Sequence, residues 1–320
     1  MDKVTQAIQE EMIAFETYFK HAVKSRVSLL DRIMRYIVNR KGKQLRPRFV
    51  LLSAKLGGPV NESTLRAASL VELLHTATLV HDDVVDEADK RRGFFSINAL
   101  WKNKVAVLVG DYLLSKGMLL SLENEDYKIL KILSGAIKMM IEGELLQLEK
   151  SRNLNLDESV YYDIIKGKTA SLLSSACASG ACTTFTDDTQ IEKMRLFGEK
   201  AGMAFQIKDD LFDYGNTEIG KPTGNDIKEQ KLTLPLIHTL NNCSSDLKKQ
   251  IIYIVKNQNT NKAKIRFVTD AVKDCGGIEY ATKKMTGFRD EALDILYSFQ
   301  DNHIRQALEQ LVRYTTDRNF

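Results

Sequence analysis

The sequence predicts an all-α fold, and three observations carry that expectation. Only four prolines, Pro47, Pro59, Pro222 and Pro235, occur in 320 residues, and an interior proline costs a helix about 3 kcal/mol. Apolar residues recur at three- and four-residue spacing almost everywhere, as in Leu70-Leu73-Leu74-Ala77 and Ile129-Ile132-Leu133-Ala136-Met140, the signature of a helix with one buried face. No convincing alternation of apolar and polar residues marks a strand.

Taken in order, the spacing predicts helices over 4–22, 27–40 and 46–56, after which Gly57-Gly58-Pro59 makes a turn. A long helix follows over 62–87, then 96–122 and 127–150. Within 96–122 the run Val105-Ala106-Val107-Leu108-Val109-Gly110 is apolar almost all round, as a buried helix would be. The next helix, 157–182, holds most of the longest uncharged run, Thr169 to Thr186, which is too rich in Ser, Thr and Gly for a membrane span. Helices over 188–214, 226–241, 245–257 and 261–275 lead to Gly276-Gly277, and 277–299 and 302–316 close the chain. No Ser/Gly/Pro-rich linker divides it, so one helical domain over 1–320 is expected.

Composition excludes several classes. Lys+Arg is 46 against Asp+Glu 42, a formal charge of +4 without a long basic run, which argues against a nucleic-acid binder. Cys177, Cys182, Cys243 and Cys275 lack zinc or redox spacing and read as free thiols of a reducing compartment. The start, Met1-Asp2-Lys3, leads into a polar amphipathic stretch rather than a signal peptide. A soluble cytoplasmic protein without a transmembrane segment is the expectation.

Chemistry concentrates in two Asp-Asp-x-x-Asp motifs, Asp82-Asp83-x-x-Asp86 and Asp209-Asp210-x-x-Asp213, each ending a long helix. Residues at i and i+4 share a face, so Asp82 lies over Asp86 and Asp209 over Asp213. Such faces repel themselves unless cations neutralise them, and a helix C-terminus also favours cations. Carboxylates without His or Cys partners suit hard cations. Mg²⁺ takes one or two of them and leaves room for water and substrate phosphates, whereas the alternate spacing of a calcium loop is missing. Basic segments accompany these acids: Gly42-Lys43-Gln44-Leu45-Arg46-Pro47, Lys90-Arg91-Arg92-Gly93, Lys166-Gly167-Lys168-Thr169, Gly220-Lys221-Pro222 and Lys231. Arginine forks and lysine charges match phosphate oxygens. A phosphate loop and a Rossmann fingerprint are both missing.

Together these residues resemble the trans-isoprenyl (polyprenyl) diphosphate synthases, and the likeness spans nearly the whole chain. It runs through Gly42-Lys43-x-x-Arg46-Pro47, Leu73-Leu74-His75-Thr76-Ala77-Thr78-Leu79-Val80-His81-Asp82-Asp83-x-x-Asp86 and Arg91-Arg92-Gly93. It continues through Gly110-Asp111-Tyr112-Leu113, Gly167-Lys168-Thr169-Ala170, Gly202-Met203-Ala204-Phe205-Gln206-Ile207-Lys208-Asp209-Asp210 and Gly220-Lys221-Pro222-x-Gly224-x-Asp226, ending in Lys231-x-Thr233-Leu234-Pro235. The resemblance implies a single large helical bundle of the isoprenoid synthase type with a central active-site cavity. The implied reaction is head-to-tail condensation of isopentenyl diphosphate with an allylic diphosphate.

Carried over residue by residue, the resemblance implies that Asp82, Asp86 and Asp209 hold three Mg²⁺ on the allylic diphosphate, with Asp83, Asp210 and Asp213 as inner or supporting acids. Arg91, Lys168, Lys221 and Lys231 would bind that diphosphate, and Thr169 and Gln206 would flank the allylic carbons. Lys43, Arg46 and Arg92, with His75 as an added donor, would hold isopentenyl diphosphate, which must stay bonded and so takes salt bridges in place of metal. The released diphosphate would remove the proton. The family also implies a homodimer through helices equivalent to 96–122 and 127–150, and a lid over Tyr214 to Asp226.

Product length should be set beneath the first motif. At roughly 100° and 1.5 Å per residue, Thr78 lies one turn below Asp82 on nearly the same face. Ala77 lies farther round, and its role as a wall rests on the resemblance. Both are small where short-chain members often place an aromatic ring, and Leu74 continues downward. A long product of C30 to C40 or beyond, octaprenyl-like and destined for quinone tails, is the expectation, with Met118 or Met139 as examples of a tunnel floor. The alternatives are a short-chain farnesyl or geranylgeranyl diphosphate synthase and a non-catalytic subunit of a heteromeric synthase. A terpene cyclase fits less well, because its usual second motif is replaced here by an Asp-rich one.

Overall fold

In a computed structural model, residues 1–40, 42–91, 93–151, 157–215 and 224–317 are described. They are almost wholly helical. The chain divides into two compact units. Unit 1 comprises Met1–Ile137, Ser175–Arg195 and Gln300–Leu308; unit 2 comprises Lys138–Ser174, Leu196–Phe299 and Glu309–Phe320.

Unit 1 opens with α1 (Asp2–Ala22), α2 (Ser28–Val38), α3 (Leu45–Gly57) and α4 (Glu62–Val85). The organising helix is α4. Ala67, Ala68, Leu70, Val71, Leu73, Leu74, Ala77 and Val80 are all buried, so it is apolar nearly all round and enclosed by neighbours. Its start is fixed by a reciprocal cap: Asn61 Oδ1 accepts from Thr64 N–H at 3.0 Å, and Asn61 N–H donates to Thr64 Oγ1 at 3.3 Å. After α4 come a hairpin, β1 (Lys90–Arg91) and β2 (Phe94–Phe95), then α5 (Ile97–Trp101), α6 (Asn103–Leu122) and the first turns of α7 (Tyr127–Ser151). The most extensive packing in the unit joins α4 to α6. Gly110 on α6 permits it near the motif: a methyl there would fall 2.1 Å from His81 Nε2. A core of Ile33, Met34, Leu73, Ala77, Val80, Ile97, Ala106, Val109 and Leu113 results.

Unit 2 contains α8 (Glu158–Ile165), a π-helical turn (Lys166–Ala170) and the start of α9 (Ser171–Ala181). Most of α10 (Asp188–Phe212) follows, then α11 (Asn225–Lys228), α12 (Leu234–Asn242), α13 (Ser245–Asn257), α14 (Lys262–Asp274) and α15 (Gly277–Tyr297). The last turns of α16 (His303–Thr316) also belong to it. Its core gathers Tyr161, Ile165, Met203, Ala204, Ile207, Tyr214, Ile227, Leu234, Ile254, Val268 and Val272.

The all-α expectation is met, with local differences. The helix expected over 96–122 breaks at Lys102, whose φ of 72° lies in the left-handed region. The helix expected over 157–182 carries the π turn. The helix expected over 226–241 splits, because Gln230 takes φ 57° and α12 restarts with proline in its first turn. The hairpin at 90–95 was not expected; two-residue strands leave no alternation to read. By length and composition α6 is the one described helix able to cross a membrane. Its inner face packs on α4, while Val107, Leu108, Met118, Leu119 and Leu122 are exposed. All four cysteines are free thiols. Burial pushes Cys177 up to about 12 and Cys182 up to about 11, which leaves both unreactive near neutral pH.

Candidate active site

The two acidic motifs repeat one arrangement within their separate units. In each, the second aspartate is buried and neutralised by a cation, while the first stays more open to solvent. In unit 1, Asp83 is 4% exposed and accepts from Arg91 Nε at 2.5 Å. Asp82 is half-buried and Asp86 exposed. Asp86 caps α4, its N–H donating to Asp82 O at 2.8 Å. In unit 2, Asp210 is 1% exposed, and Lys231 Nζ donates to its Oδ1 at 3.1 Å. Asp209, beside it, is exposed.

Asp210 is the hub of a buried network. Its Oδ2 accepts from the Tyr161 hydroxyl at 2.7 Å and its Oδ1 from Gln206 Nε2 at 2.8 Å. Gln206 Oε1 in turn accepts from Thr169 Oγ1 at 2.6 Å. Lys231 also reaches Asp226 Oδ1 at 3.3 Å. Burial opposes charge on Lys231, but Asp210 and Asp226 together hold its ammonium well above the usual lysine value. Burial, reinforced by Asp210, raises Tyr161 and keeps its hydroxyl a donor. Asp213 spends both oxygens on backbone, accepting from Asn225 N–H and Asp226 N–H at 2.9 Å each. It thereby anchors the start of α11.

Asp226 is pushed up to about 7, chiefly by burial and further by Asp210 and Asp213, against the pull of Lys231. A folded-state value above the ordinary 3.8 of an aspartate means that the folded protein holds this proton more tightly than the unfolded chain. The contribution favours folding below pH ~4 and is lost as pH rises through ~7. The urea midpoint should therefore fall between pH 5.5 and 8, and Asp226→Asn should flatten that fall. An identical slope in the variant would show that Asp226 is not its source.

Lys168 and Thr169 both lie on the π turn, a departure from α-geometry frequent at functional sites. Lys168 pairs with Glu144 of α7. The two segments touch backbone to backbone: a methyl on Gly167 would lie 2.8 Å from Met139 O. Sequence spacing gave no signal for Glu144 or Tyr161, because each joins the site through tertiary packing, and Asp226 stands in a motif of the resemblance without a role assigned to it there.

In unit 1, Lys43 is exposed and Arg46 half-buried at the N-terminus of α3, where the helix dipole favours an anion. His75 is half-buried on α4, and its carbonyl accepts from Thr78 Oγ1 at 2.9 Å. Ala77 is fully enclosed and Leu74 2% exposed, whereas Thr78 is half-buried. Met118 and Met139 are 42% and 38% exposed. Arg92, Lys221 and residues 216–223 of the expected lid lie outside the described residues.

Among the described residues no group of three His, Cys, Asp or Glu is gathered closely enough to hold an ion. Within each unit taken by itself, Asp82 and Asp86 in unit 1 and Asp209 in unit 2 offer hard carboxylate oxygens, the donor type that Mg²⁺ takes through one or two carboxylates before completing its shell with water and phosphate.

Residues 27–272 match the family model described as polyprenyl synthetase. The chain is 30% identical to the octaprenyl diphosphate synthase of Escherichia coli, covering 100% of this chain and 99% of that one. Its fold matches a crystal structure of a decaprenyl diphosphate synthase from Rhodobacter capsulatus with TM-score 0.93, 34% identity and coverage of 99% and 98%. It also matches a geranylgeranyl pyrophosphate synthase from Bacteroides thetaiotaomicron, with TM-score 0.85, 37% identity and coverage of 99% and 100%.

Proposed function

We propose, for a chain that belongs to the polyprenyl synthetase family and is a prenyltransferase, that its product is long, C30 to C40 or beyond. The observation that carries this reading is the pair of small residues, Ala77 and Thr78, in the turns of α4 below Asp82. Thr78 keeps part of its surface open while Ala77 is enclosed, so Thr78 is the stronger candidate for a tunnel wall, with Leu74 beneath. Octaprenyl and decaprenyl relatives support it. The geranylgeranyl relative, at 37% identity, favours a shorter product as the second reading.

Asp82, Asp86 and Asp209 are proposed to hold Mg²⁺, three ions per site, against the allylic diphosphate. The bound metal neutralises the leaving group and lowers the barrier to ionisation. Arg91 spends its Nε on Asp83 and has further N–H groups to offer phosphate oxygens. Lys168, Lys221 and Lys231 add positive charge on the same diphosphate. Thr169 and Gln206, fixed to one another and to Asp210, present neutral dipoles to the allylic cation without trapping it. Lys43, Arg46, Arg92 and His75 hold isopentenyl diphosphate. Asp83, Asp210 and Asp213 act as supporting acids that fix the elements bearing these groups.

The same reading makes 1–320 one functional domain. Its support is that four of the five unit divisions fall inside helices, in α7, α9, α10 and α16, and one falls between α15 and α16. It also makes the protein a cytoplasmic homodimer. The exposed Val107, Leu108, Leu119 and Leu122 on α6, and Ile141, Leu145 and Leu148 on α7, are apolar surface of the kind that marks a protein interface.

Purified chain supplied with Mg²⁺, labelled isopentenyl diphosphate and farnesyl diphosphate should yield products of C30 or longer by mass. Termination at C15 or C20 would sink the long-chain reading, and an inert purified chain would favour a non-catalytic subunit. In the same assay Thr78→Phe should shorten the product. Ala77→Phe should also shorten it, with lower stability, because an enclosed alanine has no room for a ring. Unchanged length in both variants would remove these residues as walls.

A further inference from the structure

We infer that Arg40 and Tyr36, at the end of α2, are positioning residues for the diphosphate contact of Arg91, an inference that rests on the role proposed for Arg91 above. Arg91 sits on a hairpin in which Lys90 pairs with Phe95 and Arg91 with Phe94. Two-stranded hairpins are marginal in water even when long, and these strands have two residues each. Burial adds little, since Phe94 and Phe95 are 51% and 53% exposed. The hairpin therefore takes its position from ties to the rest of unit 1.

Those ties are few. At the base, Ser96 N–H donates to Asp89 O at 3.0 Å and Ser96 Oγ to Ala88 O at 2.6 Å. On β1, Arg91 itself reaches buried Asp83. On β2, one atom carries the load: the Phe95 carbonyl accepts from the Tyr36 hydroxyl at 2.6 Å and from Arg40 NH1 at 3.2 Å. The Arg40 guanidinium also lies 3.2 Å from the Tyr36 ring centroid and 4.3 Å from that of Phe94. It thus joins α2 to both phenylalanines of the outer strand through ring and carbonyl together. Trp101 braces Tyr36 edge-on, with centroids 5.1 Å apart. None of these groups is among the acids and cations proposed to touch substrate. Their geometric effect is to hold β2, and through the paired ladder β1, so that the outer N–H groups of Arg91 keep one direction. Drift of about 1 Å in such a contact costs up to ~10²-fold.

The test compares Arg40→Ala, Tyr36→Phe and Arg91→Ala in steady-state kinetics with varied farnesyl diphosphate at saturating isopentenyl diphosphate. Arg40→Ala should raise KM for farnesyl diphosphate about tenfold while kcat changes by less than about twofold, the pattern of lost ground-state binding. Tyr36→Phe, which loses only the hydroxyl, should move KM the same way by less, and it carries the test if Arg40→Ala does not fold. Arg40→Lys should not rescue, because an ammonium lacks the planar fork. The single tryptophan, Trp101, should shift its emission in Arg40→Ala as Tyr36 loses its partner. If Arg91→Ala raises KM but Arg40→Ala and Tyr36→Phe do not, the positioning role is overturned, and lowered melting with unchanged KM says the same. If Arg91→Ala leaves KM unchanged, the role proposed for Arg91 fails first and this inference falls with it.

Discussion

Asp82→Asn and Asp209→Asn are each expected to lower kcat by about 10³-fold or more while leaving the fold intact. A metal-held leaving group draws several kcal/mol of transition-state stabilisation from its charge neutralisation, and each 1.36 kcal/mol is tenfold in rate. Asparagine keeps the shape of the side chain but removes the negative charge that holds a hard cation. The stability expectation has a definite sign. Both aspartates stand in the last turns of their helices, α4 and α10, where a carboxylate opposes the helix dipole. Without metal, the variants should melt at or slightly above the temperature of the wild-type protein. A large loss of rate joined to an unchanged or raised melting temperature is the result that places these acids in function rather than in the fold. Retention of more than a tenth of kcat by both variants would remove them from the metal site.

The contrast between neighbouring aspartates bears on what could be read from the chain alone. Helix positions followed from apolar spacing, because burying one face over many turns leaves a periodic record. The two acidic motifs were legible because six acids at helical spacing are costly unless something neutralises them. The division of labour inside each motif was implied only by the family resemblance and was not legible in the helical spacing. Asp82 and Asp83 are adjacent and identical in type, yet Asp83 is enclosed with Arg91 as its partner, and Asp210 is enclosed with Lys231. That pairing depends on where a hairpin and a loop return in space, which periodicity does not encode. The π turn at Lys166–Ala170 and the break at Lys102 leave no trace in the sequence pattern for a related reason. Each alters the hydrogen-bond register of a helix whose apolar pattern continues across it. Asp213 shows the limit of the i, i+4 argument. It follows Asp209 at the right spacing, but α10 ends at Phe212, and its carboxylate turns to the backbone of α11.

The buried partner of the second motif gives the other large effect. Lys231→Met is expected to destabilise the protein by about 3 kcal/mol or more, read as a lower urea midpoint at neutral pH, because removing one partner strands the other charge in the interior. Here it strands two. Asp210 is 1% exposed at its side chain and Asp226 16%, and both lean on the one ammonium. Part of the penalty is relieved by protonation, since Asp226 already sits near neutrality. Lowering the pH to 5.5 should therefore recover some of the lost stability in Lys231→Met. Asp210→Asn combined with Lys231→Met should be less destabilised than the sum of the single variants, as neighbours in one network are not additive. Lys138→Met supplies the control. Its pair with Glu142 is 75% and 62% exposed, and an exposed pair of this kind contributes ~0.5 kcal/mol at most. If Lys231→Met and Lys138→Met unfold at the same urea concentration, Lys231 does not stabilise the buried acids. If Lys231→Met is destabilised as expected, the rate should fall too, because Gln206 and Thr169 take their positions from Asp210 and lose them when that carboxylate moves.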